Sequence, residues 1–155
     1  MADDKRYILA YGGLRDGMSL SDFYKDVGYM KYIKTVEQTG YNLYALGNLP
    51  AIRPARIIDG TDRVMCDIME CDESTFDEIY KEATSNNFFM MKIMHVVNEM
   101  NKMLPCYLFV WKDGIPDRYR VMSGDWWRFI LKDKNNDSEK KQETIWFDTF
   151  VPSNN

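Results

Sequence analysis

The sequence has a single histidine and only three cysteines, and no two of these residues form a close ligand pair. Structural and catalytic zinc sites need clusters of Cys and His side chains, so we expect no metal. An odd number of cysteines without a CxxC pair predicts reduced, mostly buried thiols in a reducing compartment, at Cys66, Cys71 and Cys106. We therefore expect a cytoplasmic protein.

The sequence also lacks an excess of basic residues and any long hydrophobic run. It has 20 Lys and Arg against 24 Asp and Glu, a formal net charge of −4, which argues against a general binder of nucleic-acid backbones. No apolar run approaches the about 20 residues of a membrane-spanning helix. The polar, acidic start predicts no signal peptide. We expect neither nucleic acid nor membrane as a partner.

What is present is a chain of 155 residues, 45% hydrophobic, which is enough to bury a core. Many short strand-like runs, one main helix and a short late helix predict an α+β fold, a small mixed twisted β-barrel, in a single domain over residues 1–155. Residues 19–28 favour a helical turn capped by Ser19 or Ser21. The pair Asp59-Gly60 is a hairpin signal between two strands. The remaining strands are predicted at 6–11, 32–48 with a break at Gly40, 88–97, 106–113 and 144–151.

The main helix is predicted to begin at Ser74. Thr75 and Glu78 have the spacing of a capping box. An apolar stripe follows at helical spacing, formed by Phe76, Ile79, Tyr80 and Ala83. The late helix is predicted within 123–131, and the polar segment near 132–143 is predicted to be a solvated loop.

The first strand ends in two glycines, in the stretch Tyr11-Gly12-Gly13-Leu14-Arg15. A tight turn would explain both glycines. A loop that binds a small polar ligand through its backbone N–H groups would explain them as well, because glycine lets the backbone approach a ligand closely.

Four segments along the chain, including this loop, are similar to the motifs of one protein family and occur in the same order. Tyr11 to Leu14 is similar to a Tyr-Gly-(Ser/Thr)-Leu loop, and residues 43–51 match Leu-Tyr-x-Leu-Gly-x-x-Pro-Ala. Residues 64–68 are similar to a Val-x-Gly-Glu-hydrophobic strand, and residues 123–126 read Ser-Gly-Asp-Trp. With these motifs the chain resembles the γ-glutamylcyclotransferase-like family, in the branch that includes γ-glutamylamine cyclotransferases.

The resemblance implies an enzyme that releases 5-oxoproline from a γ-glutamyl amine or a related conjugate, without a metal or other cofactor. The glycine loop would hold the charged end of the γ-glutamyl group through the backbone of Gly12, Gly13 and Leu14, beside Tyr11. Gly13 stands where the family has Ser or Thr, so one hydroxyl is missing. Arg15 is a candidate partner for a ligand carboxylate, since its guanidinium fork suits bidentate pairing, with a loop arginine that faces solvent as the alternative. Tyr119 is a candidate pocket residue, or else an aromatic that caps the core.

The chemistry also needs a carboxylate as the base, which the family places on the helix four residues after a Leu. If Ile79 takes the Leu place, Ala83 falls on the base position, and if Phe76 takes it, Tyr80 does. Glu82 is the nearest acid, and at about 100° per residue it lies on the border of the apolar stripe. Glu82 is therefore the candidate catalytic residue, with a solvated surface role as the alternative.

Two functions stay open at this point. The first is a γ-glutamylcyclotransferase-like enzyme with Glu82 as base. The second is a catalytically inactive member of the same fold that binds or sequesters a small metabolite with an amino-acid-like group, or that contacts a protein partner or a second copy of itself. The displaced acid and the missing hydroxyl favour the second function.

Overall fold

The computed structural model describes residues 5–134. Its strands are β1 Arg6–Ala10, β2 Met30–Thr39, β3 Tyr41–Leu46, β4 Leu49–Pro54, β5 Arg63–Cys71, β6 Phe88–Val96 and β7 Met103–Trp111. Its helices are α1 Ser19–Val27, α2 Glu73–Thr84 and α3 Trp126–Lys134, with a short 3-10 turn at Asp117–Tyr119. This content confirms the α+β class. The predicted strand at 144–151 and most of the predicted polar loop near 132–143 lie outside the described residues. The described part of that loop, residues 132–134, belongs to α3 instead.

The strands form a five-stranded sheet in the order β2-β5-β1-β7-β6 and a separate β3-β4 hairpin. The sheet is antiparallel except where β1 runs parallel to β7, with Tyr7 opposite Cys106. Among the described residues it does not close into a barrel through backbone hydrogen bonds. It curls instead until its two edge strands meet, and His95 of β6 lies 2.8 Å (Nε2 to Oε1) from Gln38 of β2.

Apolar side chains pack on both sides of the curled sheet. One buried cluster joins the inward face of α2 to β1 and to the β3-β4 hairpin, through Ile79, Ala83, Ile8 and Tyr44. A second cluster lies under α3, where Trp126 is 3% exposed. The three cysteines are buried and free, and burial raises the pKa of Cys66 to about 12, as expected for structural thiols.

Two local predictions differ from the structure. Residues 19–27 form a complete helix rather than one turn, and its N-cap position is Met18. The Asp59-Gly60 hairpin is wrong, because β5 pairs with β1 and β2 and the preceding strand β4 belongs to the other sheet. Pro50 and Pro54 lie within β4, a strand at the edge of its hairpin where a missing N–H is tolerated.

The N-cap of α2 also differs from the predicted capping box. The helix begins one residue earlier, at Glu73, and the side chain of Asp72 accepts a hydrogen bond from the Thr75 backbone N–H at 2.9 Å. The Thr75 hydroxyl accepts instead from the Tyr29 backbone N–H at 3.0 Å, which ties α2 to the segment after α1. The predicted apolar stripe is confirmed at Phe76, Ile79 and Ala83, whereas Tyr80 is 41% exposed.

We expect Asp72→Ala to lower the free energy of unfolding by about 1 kcal/mol, because the helix loses its N-cap. Hydrogen bonds from Thr75 hold the pKa of Asp72 below its usual range. The difference between wild type and variant should therefore be present above about pH 4 and shrink as the pH falls through the folded pKa. Urea denaturation between pH 3 and pH 7 measures it. Ser74→Ala is the matched control, and an equal loss in that variant would contradict the assignment of the N-cap to Asp72.

Candidate functional site

The glycine loop connects β1 to α1 through two consecutive turns. The backbone N–H of Arg15 donates to the carbonyl of Gly12 at 2.9 Å, and that of Met18 donates to the carbonyl of Arg15 at 3.0 Å. Gly17 has φ +89°, the left-handed conformation that favours glycine. The loop is also tied to α1, because the Ser21 N–H donates to the Gly13 carbonyl at 3.2 Å. These hydrogen bonds fix the path of the loop backbone.

The two glycines at the start of the loop have different surroundings. A Cβ on Gly12 would lie 2.2 Å from Cγ of Pro50, so this glycine is required by close packing of the loop on the β3-β4 hairpin. A Cβ on Gly13 would meet only Leu20, at 3.5 Å, which is ordinary contact. Part of the reason for the double glycine is therefore the approach of a proline ring.

Arg15 is buried, with 6% of its surface exposed, and it is paired with two protein carboxylates. Its Nε and Nη2 lie 3.2 and 3.4 Å from the two oxygens of Asp67, and its Nη1 lies 3.0 Å from Oδ1 of Asp125. Asp67 also accepts from the Asp16 N–H at 3.0 Å and from the Thr35 hydroxyl at 2.8 Å. The Arg15 guanidinium is thus already paired with carboxylates of the protein itself, and its binding of a ligand carboxylate stays a prediction.

The neighbours of the glycines in the loop point into the core. The Tyr11 hydroxyl donates to the Phe109 carbonyl at 2.6 Å, and burial raises the pKa of Tyr11. Leu14 is 6% exposed and belongs to the same apolar cluster as Leu20 and Ala83. The side chains of Tyr11 and Leu14 therefore anchor the loop, which leaves the loop backbone as its part available to a ligand.

The helix α2 presents no acid at its inward position. Ala83 is fully buried, and Glu82 beside it is half-buried at the border of the stripe. Burial, followed by the nearby charges of Glu82 and Glu78, raises the pKa of Tyr24 in α1 to about 12. Because its charge acts on Tyr24, Glu82 lies on the side of α2 that faces α1. Tyr24 belongs to α1 and is buried in the apolar cluster that also contains Leu14 and Ala83.

Tyr119 lies at the surface, 38% exposed, in the 3-10 turn. The Arg118 guanidinium stacks on its ring at 4.6 Å and donates to its hydroxyl at 3.1 Å.

The two adjacent tryptophans at the start of α3 point in different directions. Trp126 is buried, and the half-buried Trp127 packs against the glycine loop at Gly17.

Sequence reasoning missed the polar groups inside the protein. Asp67, Thr35 and Asp125 come from three separate elements and meet only around Arg15. The Ser21 hydroxyl and the Asn42 side-chain carbonyl oxygen are buried, and neither has a hydrogen-bond partner within residues 5–134. The motif residues Asp67 and Asp125 carried a signal, since both belong to matched segments, whereas nothing near Ser21 or Asn42 marked them.

Within residues 5–134, no group of three or more His, Cys, Asp and Glu side chains is arranged to hold a metal ion. No helix in this part of the chain is long and apolar enough to cross a membrane.

We expect Gly12→Ala to destabilise the protein by about 1–3 kcal/mol, because the added methyl group overlaps the Pro50 ring. Gly13→Ala is the matched control and should be neutral or slightly stabilising, since its φ is not left-handed and its neighbour is at normal contact distance. Thermal and urea denaturation of both variants test this. Equal losses at the two positions would contradict the assignment of Gly12 to packing.

We expect Arg15→Met to lower the free energy of unfolding by about 3–5 kcal/mol, because Asp67 is then buried without its countercharge. The double variant Arg15→Met with Asp67→Leu should lose less than the sum of the two single variants, since neither charge is then left alone. A double-mutant cycle from urea denaturation gives this coupling. Additive losses would show that Arg15 and Asp67 stabilise the fold independently.

The sequence profile of the family described as "Gamma-glutamyl cyclotransferase, AIG2-like" matches residues 8–128. Among curated proteins, none matches the sequence. Among solved structures, an uncharacterized protein from Pyrococcus horikoshii has a TM-score of 0.65 at 20% identity, over 86% of this chain and 99% of that one. An AIG2-like protein from Mus musculus has a TM-score of 0.60 at 15% identity, over 79% and 88% of the two chains. The ytfP protein from Escherichia coli has a TM-score of 0.56 at 18% identity, over 77% and 95%.

At these identities the solved structures establish a shared fold. The family profile covers most of the chain, including the glycine loop, α2 and the Ser-Gly-Asp-Trp segment whose contacts are described above. The resemblance found in the motifs is thereby confirmed, and the chain belongs to the gamma-glutamyl cyclotransferase, AIG2-like family.

Proposed function

We propose that this chain binds a small molecule with an amino-acid-like end at the glycine loop and does not convert it to 5-oxoproline. The observation that supports this function is the fully buried Ala83, which occupies the inward helical position four residues after the buried Ile79. Formation of the lactam requires a base that removes a proton from the α-ammonium group, and a methyl group cannot do so.

The glycine loop supports the binding half of the proposal. Its path is fixed by its own turns and by Arg15, so its backbone N–H groups need little reorganisation to receive an anionic group. The side chains on either side of the glycines are anchored in the core. A preorganised loop of this kind can recognise a ligand without any catalytic side chain.

A second candidate function is favoured by the position of Glu82. This carboxylate is half-buried on the side of α2 that faces α1 and Tyr24. As a base, Glu82 would take a proton from the α-ammonium of a γ-glutamyl amine. The freed amine nitrogen would attack the γ-carbonyl carbon and give up a second proton as the amide C–N bond breaks. The leaving amine would take up both protons and depart as an ammonium ion, which returns Glu82 to its carboxylate form. The products would be 5-oxoproline and a free amine.

We expect the wild-type protein to release no 5-oxoproline from a panel of γ-glutamyl amines and γ-glutamyl amino acids. At least one of these compounds should raise the melting temperature by several degrees at saturation, because a ligand stabilises the state that it binds. Glu82→Gln should keep this rise. Chromatographic detection of 5-oxoproline and a thermal-shift screen provide the two measurements.

The outcomes separate the two candidates. Release of 5-oxoproline that Glu82→Gln abolishes and that the matched control Glu78→Gln retains would establish the second candidate and reject the first. A panel that gives neither product nor a thermal shift would reject both.

A further inference from the structure

The loop between β4 and β5 and the turn before α3 expose a group of large apolar side chains. Ile57 and Ile58 are 68% and 72% exposed, and Tyr119 and Met122 also lie open to solvent. Single apolar residues are ordinary on a protein surface, but a contiguous group of them marks a site of interaction. We call these four residues the isoleucine patch.

Two polar contacts bring the loop and the turn together. Where the loop begins, Nη2 of Arg56 lies 3.1 Å from Oδ1 of Asp117. Where the loop ends, Nη2 of Arg120 donates to the carbonyl and the hydroxyl of Thr61 at 2.8 and 3.0 Å. The two isoleucines lie between these contacts along the loop, and Tyr119 lies between them along the turn. The exposed side chains therefore form one surface.

The loop that carries the isoleucines has a fixed structure. The carboxylate of Asp62 is buried and accepts hydrogen bonds from the backbone N–H groups of Gly40, Asp59 and Gly60, at 3.0, 3.1 and 2.9 Å. These bonds join the loop to the start of β3 and hold its tip in one conformation. The exposure of the two isoleucines is thus a property of a built loop.

The patch also carries a guanidinium without a carboxylate partner. Arg118 stacks on the Tyr119 ring at 4.6 Å and forms no ion pair within residues 5–134. The neighbouring Asp117 is already paired with Arg56. An occupant that suits this surface is therefore apolar and carries a carboxylate.

A segment of this chain that lies outside the described residues has this composition. Residues 144–151 read Thr-Ile-Trp-Phe-Asp-Thr-Phe-Val, with five apolar side chains and Asp148 as the one charged residue. The residues before them, 135–143, are all polar or charged. We propose that residues 144–151 cover the isoleucine patch and that Asp148 pairs with Arg118. This covering goes beyond the proposed function, because no ligand takes part in it.

The chain is long enough to make this return. Met122 precedes Trp126, the first residue of α3, by four positions, and α3 is 9 residues long. At 3.8 Å per residue before the helix and 1.5 Å per residue within it, Lys134 lies at most about 28 Å from Met122. Residues 135–143 span about 30 Å when extended, so the segment that follows them can reach the patch.

Covering by the same chain is favoured over two other occupants. A tethered segment is present at the patch at an effective concentration of about millimolar, whereas a second copy must bind from dilute solution. An anionic lipid surface attracts clusters of basic residues, and here the acidic Asp59 and Asp117 stand beside the arginines. The segment of the same chain therefore fits this surface best.

The position of the segment is tested by paramagnetic broadening in the full chain labelled with nitrogen-15. Ser153→Cys places a reactive thiol two residues beyond the segment, and a nitroxide is attached to it. The native Cys66, Cys71 and Cys106 are buried with raised pKa values and should stay unlabelled. We expect the amide resonances of the isoleucine patch to be broadened most, and to sharpen when the nitroxide is reduced.

Variants of the patch test which contacts hold the segment. Ile58→Asp should lower the ratio of covered to uncovered patch by about tenfold or more, because burial of an isoleucine side chain contributes at least that much, and most of the broadening should be lost. Met100→Asp is the matched control, since Met100 is 81% exposed in the loop between β6 and β7 and lies outside the patch. Arg118→Glu should weaken the broadening, and the charge reversal Arg118→Glu with Asp148→Arg should restore it.

Several outcomes would overturn the proposal. One is an unbroadened patch, or broadening that centres instead on exposed residues of the β6-β7 hairpin such as Met94 and Met103. Another is an equal effect of Met100→Asp and Ile58→Asp. Nitroxide-bearing chain without nitrogen-15, mixed with unmodified nitrogen-15 chain, reports contacts between molecules alone, and equal broadening there would assign the patch to a second copy. Sedimentation with phosphatidylserine vesicles that Ile58→Asp abolishes would assign it to a lipid surface.

Discussion

The buried charge of Arg15 is the constraint on which the candidate site depends. A guanidinium that is 6% exposed needs carboxylates around it, and Asp67 of β5 and Asp125 before α3 supply them. Thr35 of β2 joins the same network through Asp67. One side chain of the glycine loop thus fixes that loop to two strands and to a helix. The path of the loop backbone is therefore held by a buried network of charges as well as by the turns of the loop itself.

The sequence predicted the classes of most elements because their signals are local. The apolar stripe at Phe76, Ile79 and Ala83 repeats at helical spacing and faces the core as expected. The N-cap was placed at the wrong residue because Asp72 and Thr75 are both residue types that cap helices, and only the structure shows that Thr75 bonds to Tyr29 instead. The Asp59-Gly60 prediction failed because pairing between strands is a long-range property that a turn signal does not contain.

The sequence predicts which segments form the candidate site, but not the contacts between their side chains. The motifs located the glycine loop, and the register of α2 already indicated that its acid is displaced. That Pro50 packs on Gly12 and that Asp67 neutralises Arg15 could not be inferred, since these contacts join residues far apart in the chain. Several motif residues that first suggested ligand binding therefore hold the fold together as well. Membership of the family establishes the fold. Which reaction a protein with this fold can catalyse depends on the side chains at particular positions, such as the one that the buried Ala83 occupies.

The contact between Gln38 and His95 has a consequence for the behaviour of the chain in a crowded solution. Unpaired edge strands are templates on which other chains add strands and aggregate. Here one side-chain hydrogen bond joins the edge strands β2 and β6, and a foreign strand that entered between them at this point would have to displace it. Burial and the nearby charge of Lys34 lower the pKa of His95, which keeps the ring neutral at this seam near neutral pH. Within residues 5–134, side chains rather than a backbone ladder thus join the two margins of the sheet at this point.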